Sequence, residues 1–120
     1  VKAEHPHFSV LCGYDDHLFN TLMLGGDGAI SASVNFAPQL SVNLRRAFLE
    51  GDLGTAAKIH QKLVQVPQIY QLDTPFVNVI KEAMVLCGRD MSTWTMPPAG
   101  VLDDAHRQQL KALLKRLELC

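Results

Sequence analysis

The stretch from Val10 to Pro38 constrains this chain most. It reads VLCGYDDHLFNTLMLGGDGAISASVNFAP. An apolar run meets a Gly-Tyr-Asp-Asp turn, then an apolar helix, a Gly-Gly-Asp-Gly turn, a second run of small residues, and a helix opened by a proline. Phe8 to Cys12 is rich in strand formers, and Gly13 ends it. Leu18, Phe19, Leu22 and Met23 form a helical stripe that Gly25-Gly26 stop. Gly28 to Ser33 is the second strand. About ten helical residues separate the two strands, so they lie parallel, joined by a right-handed crossover.

Two parallel strands do not make a sheet that stands alone, because parallel sheets need further strands and cover on both faces. The rest of the chain is helical. Pro38 fits the first turn of a helix running to about Glu50, with Leu40, Leu44, Ala47 and Phe48 on one side. Gly51-Asp52 break it. Leu53 to about Ile69 forms the next helix, with Ala56, Ile59, His60, Leu63 and Val66 inward, and Pro67 kinks or ends it. Thr74-Pro75 caps a helix carrying Phe76, Val79, Ile80, Ala83, Met84 and Cys87, which Gly88 closes. Residues 89–100 form an extended connection. Asp103 caps a last helix with Leu110, Leu113, Leu114 and Leu117 on one face and Lys115 and Arg116 near its C-terminal end. Either the helices bundle around a poor sheet, or the chain is the end of a larger α/β protein. The parallel βαβ unit and the small-residue strand favour the second. The division is then 1–50 for two βα units and 51–120 for a helical region.

Composition excludes several functional classes. Hydrophobic residues make up 48% of 120, enough for a packed core. Eleven basic and twelve acidic residues nearly cancel, so the basic footprint of a nucleic-acid binder is absent. No apolar run reaches membrane-spanning length, and the opening VKAEHPHF has no signal-peptide pattern. The three cysteines, Cys12, Cys87 and Cys120, are widely spaced and form no CxxC. Reduced thiols in a cytoplasmic protein are the simplest account.

Asp15 and Asp16 have the residue types of a metal or acid/base pair, but neighbours on a helix diverge, and capping of the helix N-terminus is the favoured reading. Tyr14 at a strand end either projects into a site or packs in the turn. His5 and His7 lack further ligands nearby and read as a surface loop. His17, His60 and His106 read as surface or packing residues on helices. Gly25, Gly26 and Gly28 follow a helix and precede a strand, the reverse of a phosphate loop, and read as helix termination. Cys12 lies inside a strand and reads as inert core. Ser31, Ser33 and Asn35 follow the second strand, where barrel enzymes place substrate contacts and where a narrow interior also demands small side chains.

These residues carry a resemblance. GYDDHLFNTLMLGGDGAISASVNFAP resembles the seventh and eighth strands of the dihydrodipicolinate synthase / N-acetylneuraminate lyase family, Schiff-base (class I) aldolases on a (β/α)8 TIM barrel. RRAFLEGD, TPFVNVIKEAMVLCG and MPPAGVLD fit as well, so the resemblance spans essentially the whole chain. HPHFSVLCGYDDHLFN and QLDTPFVNVIKEA are most similar to the 2-keto-3-deoxygluconate aldolase branch. The resemblance implies an α/β fold: the C-terminal portion of the barrel, with two parallel strands plus C-terminal helices. It places Gly13, Tyr14, Asp15 and Asp16 at the barrel mouth and Ile30 beside the keto-acid carbonyl, with Ala32 and Ser33 among neighbouring substrate contacts. Ala32 stands where the sialic acid lyase branch has a substrate-binding serine.

The resemblance also implies what this chain does not supply. The family's Schiff-base lysine comes from strand six, its catalytic tyrosine from strand five, and its carboxylate-binding Gly-Thr/Ser-Thr/Ser-Gly-Glu run from the strand-two region. None has a match here: Lys2 precedes strand seven, and Lys58, Lys62 and Lys81 lie on later helices. The expectation is therefore the C-terminal part of an aldolase, inactive alone, whose intact barrel cleaves a 2-keto-3-deoxy sugar acid to pyruvate and an aldehyde. No metal or cofactor is implied, and the parent is expected to be a homo-oligomer, a tetramer. The alternatives are condensation of pyruvate with an aldehyde, as in dihydrodipicolinate synthase, and a non-catalytic barrel fragment kept as a structural or interaction module.

Overall fold

Residues 1–120 are all described by a computed structural model. Its order is β1 (Leu11–Cys12), α1 (Leu18–Met23), β2 (Gly28–Ala29), α2 (Pro38–Leu49), α3 (Leu53–Leu63), α4 (Pro67–Tyr70), α5 (Val77–Leu86) and α6 (Asp104–Arg116), with 3-10 turns at Asp15–His17 and Ala32–Asn35. β1 and β2 pair in parallel, Leu11 opposite Gly28 and Cys12 opposite Ala29. The strands are shorter than the apolar runs that predict them. A strand lasts only as long as its partner ladder, and each has one neighbour; single bonds from Asp27 N to Val10 O and from Ile30 N to Cys12 O extend the pairing at either end. Beyond Ser31 the expected second strand turns into the 3-10 helix instead.

The α1–β2 turn needs its glycines. Gly25 takes φ +84°, and a Cβ at Gly26 would meet the Thr21 side chain and stand 2.9 Å from the Thr21 carbonyl. Asp27 secures the same turn, accepting from Val10 N–H at 2.7 Å and pairing with the Lys2 ammonium at 2.9 Å.

The two faces of the sheet differ. Cys12 and Ala29 pack against the core, while Leu11 and Ile30 on the other face are 47% and 74% exposed. One hydrophobic cluster joins Leu18, Leu22, Phe36 and Leu44 of the two βα units to Leu63, Ile69, Val79 and Leu110 of the later helices. Buried Glu82 of α5 accepts from Arg107 Nε of α6 at 2.9 Å.

Three local expectations are corrected. The helix predicted over 53–69 is two helices, because Pro67 lacks the N–H to continue the ladder and starts α4 instead. Thr74 does not cap α5; the Asp73 carboxylate accepts from Thr74 N–H at 2.7 Å and from the Asn78 amide at 2.6 Å. Cys87 and Cys120, expected as free thiols, are joined in a disulfide across 5.2 Å between Cα atoms, leaving Cys12 free. The reason is the turn after α6: Glu118 adopts φ +51° and Leu119 N–H returns to Leu114 O, which carries the tail back to the end of α5. Asp103 caps α6 as expected, accepting from His106 N–H at 2.8 Å.

Candidate functional site

Both strands run the same way, so the segments after them, Gly13–His17 and Ile30–Asn35, meet at one rim. Asp15 lies at its centre. Its side chain is fully buried, and its carboxylate accepts from the Ser33 hydroxyl on one oxygen and from the Tyr70 hydroxyl on the other. This overturns the capping reading. Tyr14 occupies the N-cap position of the turn with no side-chain cap, and Asp15 points inward to two hydroxyls that would otherwise be buried without partners. The adjacent aspartates diverge, as neighbours in a helical turn do. Asp16 is half-buried, with one carboxylate oxygen enclosed and unpartnered and 3.9 Å from His17 Nε2.

Tyr70 is the residue that sequence reasoning missed. It ends α4, in the helical region, yet its ring lies edge-on to Tyr14 at 6.3 Å between centroids and stacks on Phe76 at 5.0 Å. Burial, reinforced by the hydrogen bond to Asp15 and its charge, pushes the Tyr70 phenol far up, so it stays a donor. The signal available in the sequence was a polar-tipped aromatic beside an otherwise apolar stripe, where a buried hydroxyl requires a partner.

The other predicted residues divide by exposure. Tyr14 is half-exposed, and Ile30 stands on the uncovered sheet face. Gly13 has open space where a side chain would begin. Ala32 is half-buried against the core, and Ser33 is buried on Asp15. Ser31 is buried with an unpartnered hydroxyl, and the Asn35 amide donates to Ala32 O at 3.0 Å. No group of three His, Cys, Asp or Glu side chains is arranged so that it could hold a metal ion. The rim is open: the largest hollow, about 420 Å³, lies on the outer face of α2 between Val42 and Glu50. No helix is long and apolar enough to cross a membrane.

Paired parallel strands ending at one rim, backed on one face by helices, are the C-terminal part of a (β/α)8 barrel, as the solved relatives below bear out. The chain belongs to the dihydrodipicolinate synthetase family, whose profile matches residues 1–117. It is 69% identical over 120 residues to the putative 2-dehydro-3-deoxy-D-gluconate aldolase YagE of Escherichia coli K12, covering all of this chain and 40% of that protein. It is 53% identical over 114 residues to the probable 2-dehydro-3-deoxy-D-pentonate aldolase YjhH of the same organism, covering 95% of this chain and 38% of the relative. The crystal structure of E. coli YagE in complex with pyruvate superposes with a TM-score of 0.97 at 69% identity, over 100% of this chain and 40% of that one. A monomeric dihydrodipicolinate synthase variant superposes at 0.86 with 30% identity, over 99% and 39%. The chain thus spans about 40% of the length of these relatives.

Proposed function

We propose that this chain forms the substrate-side rim of a pyruvate-dependent class I aldolase whose intact barrel cleaves a 2-keto-3-deoxy sugar acid to pyruvate and an aldehyde. The observation carrying this reading is 69% identity along the entire chain to YagE, named a putative 2-dehydro-3-deoxy-D-gluconate aldolase and solved in complex with pyruvate. Residues 1–50 act as the last two βα units and 51–120 as a helical buttress. The segments Gly13–Asp16 and Ile30–Ser33 form the substrate-side wall, with the apolar Ile30 beside the keto-acid carbon and Tyr14 and Asp16 at the opening, while Asp15 and Ser33, buried on each other, support that wall from behind.

In such a reaction a lysine amine attacks the keto carbon and water leaves, giving an iminium. The iminium accepts the electron pair of the breaking C–C bond while a base takes the hydroxyl proton of the departing aldehyde. The resulting enamine is protonated, and hydrolysis returns lysine and pyruvate. The lysine and the proton shuttle belong to barrel segments outside this chain, and the assembled enzyme works as a cytoplasmic tetramer. A full-length barrel containing this chain should release pyruvate from 2-keto-3-deoxygluconate and should not condense pyruvate with aspartate semialdehyde. The reverse preference would replace this reading with a synthase.

A further inference from the structure

We propose that Tyr70 is a positioning residue of the rim: with Ser33 it clamps the Asp15 carboxylate, fixing the Gly13–Asp16 turn so that Tyr14 and Asp16, not Asp15, are the groups offered to substrate. The claim rests on the aldolase reading above and adds to it a residue from outside the barrel strands.

The geometry leaves Asp15 no free acceptor aimed outward. It is fully buried, and each carboxylate oxygen is occupied by a hydroxyl from a different element, Ser33 after β2 and Tyr70 of α4. Asp15 therefore joins both strand ends to the helical region at one point. Hydrogen bonds to an ionised acceptor are the strong kind, and a buried carboxylate stripped of one is left underbonded. Tyr70 acts on the opening a second way, because its ring is held by Phe76 on one side and meets Tyr14 on the other. A substrate contact made by Tyr14 or Asp16 then depends on a hydroxyl that never touches substrate. Misplacing such a contact by a fraction of an ångström weakens binding, while the distant lysine keeps its chemistry.

The test uses the full-length barrel that contains this chain. Tyr70→Phe keeps the ring and removes the hydroxyl. It should raise KM for 2-keto-3-deoxygluconate about 10-fold through the displaced Tyr14 and Asp16 contacts, with kcat within about 2-fold. Ser33→Ala should shift KM in the same direction by less, and it decides the matter if Tyr70→Phe fails to fold. An unchanged KM in both variants overturns the proposal, as does a fall in kcat with KM unmoved. A wild-type barrel that releases no pyruvate overturns the aldolase reading instead. The clamp is then judged from phenolate absorbance: wild type and Tyr70→Phe should titrate alike through about pH 10, the ordinary phenol range. A phenolate step there that disappears with Tyr70 would show that the hydroxyl is not held by Asp15.

Discussion

Leu44 joins the two parts of this chain. It sits on α2 with no exposed surface and belongs to the cluster that unites the two βα units with the later helices. α2 packs on α3 and also meets α1 and the 3-10 turn after β2. With neighbours on several sides, the hole left by Leu44→Ala can collapse only in part. The cost should therefore fall in the middle of the range for buried leucines, about 3–4 kcal/mol. That is a change of more than about 100-fold in the folding equilibrium, and for a urea slope of about 2 kcal/mol per molar it lowers the midpoint by about 1.5–2 M. Leu49, five residues on, is 63% exposed, so Leu49→Ala should stay within about 0.5 kcal/mol. The assay is urea unfolding followed by far-UV circular dichroism and by Trp94 fluorescence, at a concentration where sedimentation gives one species. Because one core spans both parts, the two signals should move together in wild type and variant. A Leu44→Ala loss below about 1 kcal/mol, or an equal loss at Leu49, would refute the burial argument. Diverging signals would refute the shared core.

Two further predictions concern the open sheet face and the acid limb of stability. Leu11 and Ile30 lie bare beside two unpaired strand edges, so the chain alone should self-associate. Ile30→Lys should lower the associated fraction in sedimentation without altering the circular dichroism, and association that ignores the substitution would place the contact elsewhere. Asp103 is held below the ordinary carboxyl value of 3.8, first by the His106 N–H and then by the His106 side chain, and Asp73 is held low by the Asn78 amide and then Thr74 N–H. A lowered folded value contributes stability above the unfolded value and loses it as pH falls through the folded one. The melting temperature should hold at about pH 5 and drop between about pH 4 and pH 2, less steeply in Asp103→Asn; an unchanged slope there would remove Asp103 from the account.

Elements specified by local chemistry were legible in the sequence. Pro38 and Gly51 bracket α2, Asp103 caps α6, and Gly25-Gly26 end α1. Both rim segments were also found, because a polar loop after each parallel strand is a pattern local in sequence. What was misread depends on distant partners. The aspartate pair resembles a helix cap over a few residues, but Asp15 is claimed by a tyrosine 55 residues away. The disulfide of Cys87 with Cys120 spans 33 residues and follows from the reversal at Glu118. Strand length was overestimated because hydrophobic runs report burial, whereas strand bounds report pairing.

The central claim is that this chain shapes the mouth of a Schiff-base aldolase whose lysine lies elsewhere in the barrel. Pyruvate and borohydride test it directly, since reduction fixes the iminium as a stable adduct visible in the intact mass. The full-length barrel should gain one reduced pyruvate per subunit, on a lysine outside these 120 residues, and the chain alone should keep its mass. An adduct on Lys2, Lys58, Lys62, Lys81 or any other lysine of this chain, or none on the full barrel, would contradict the account.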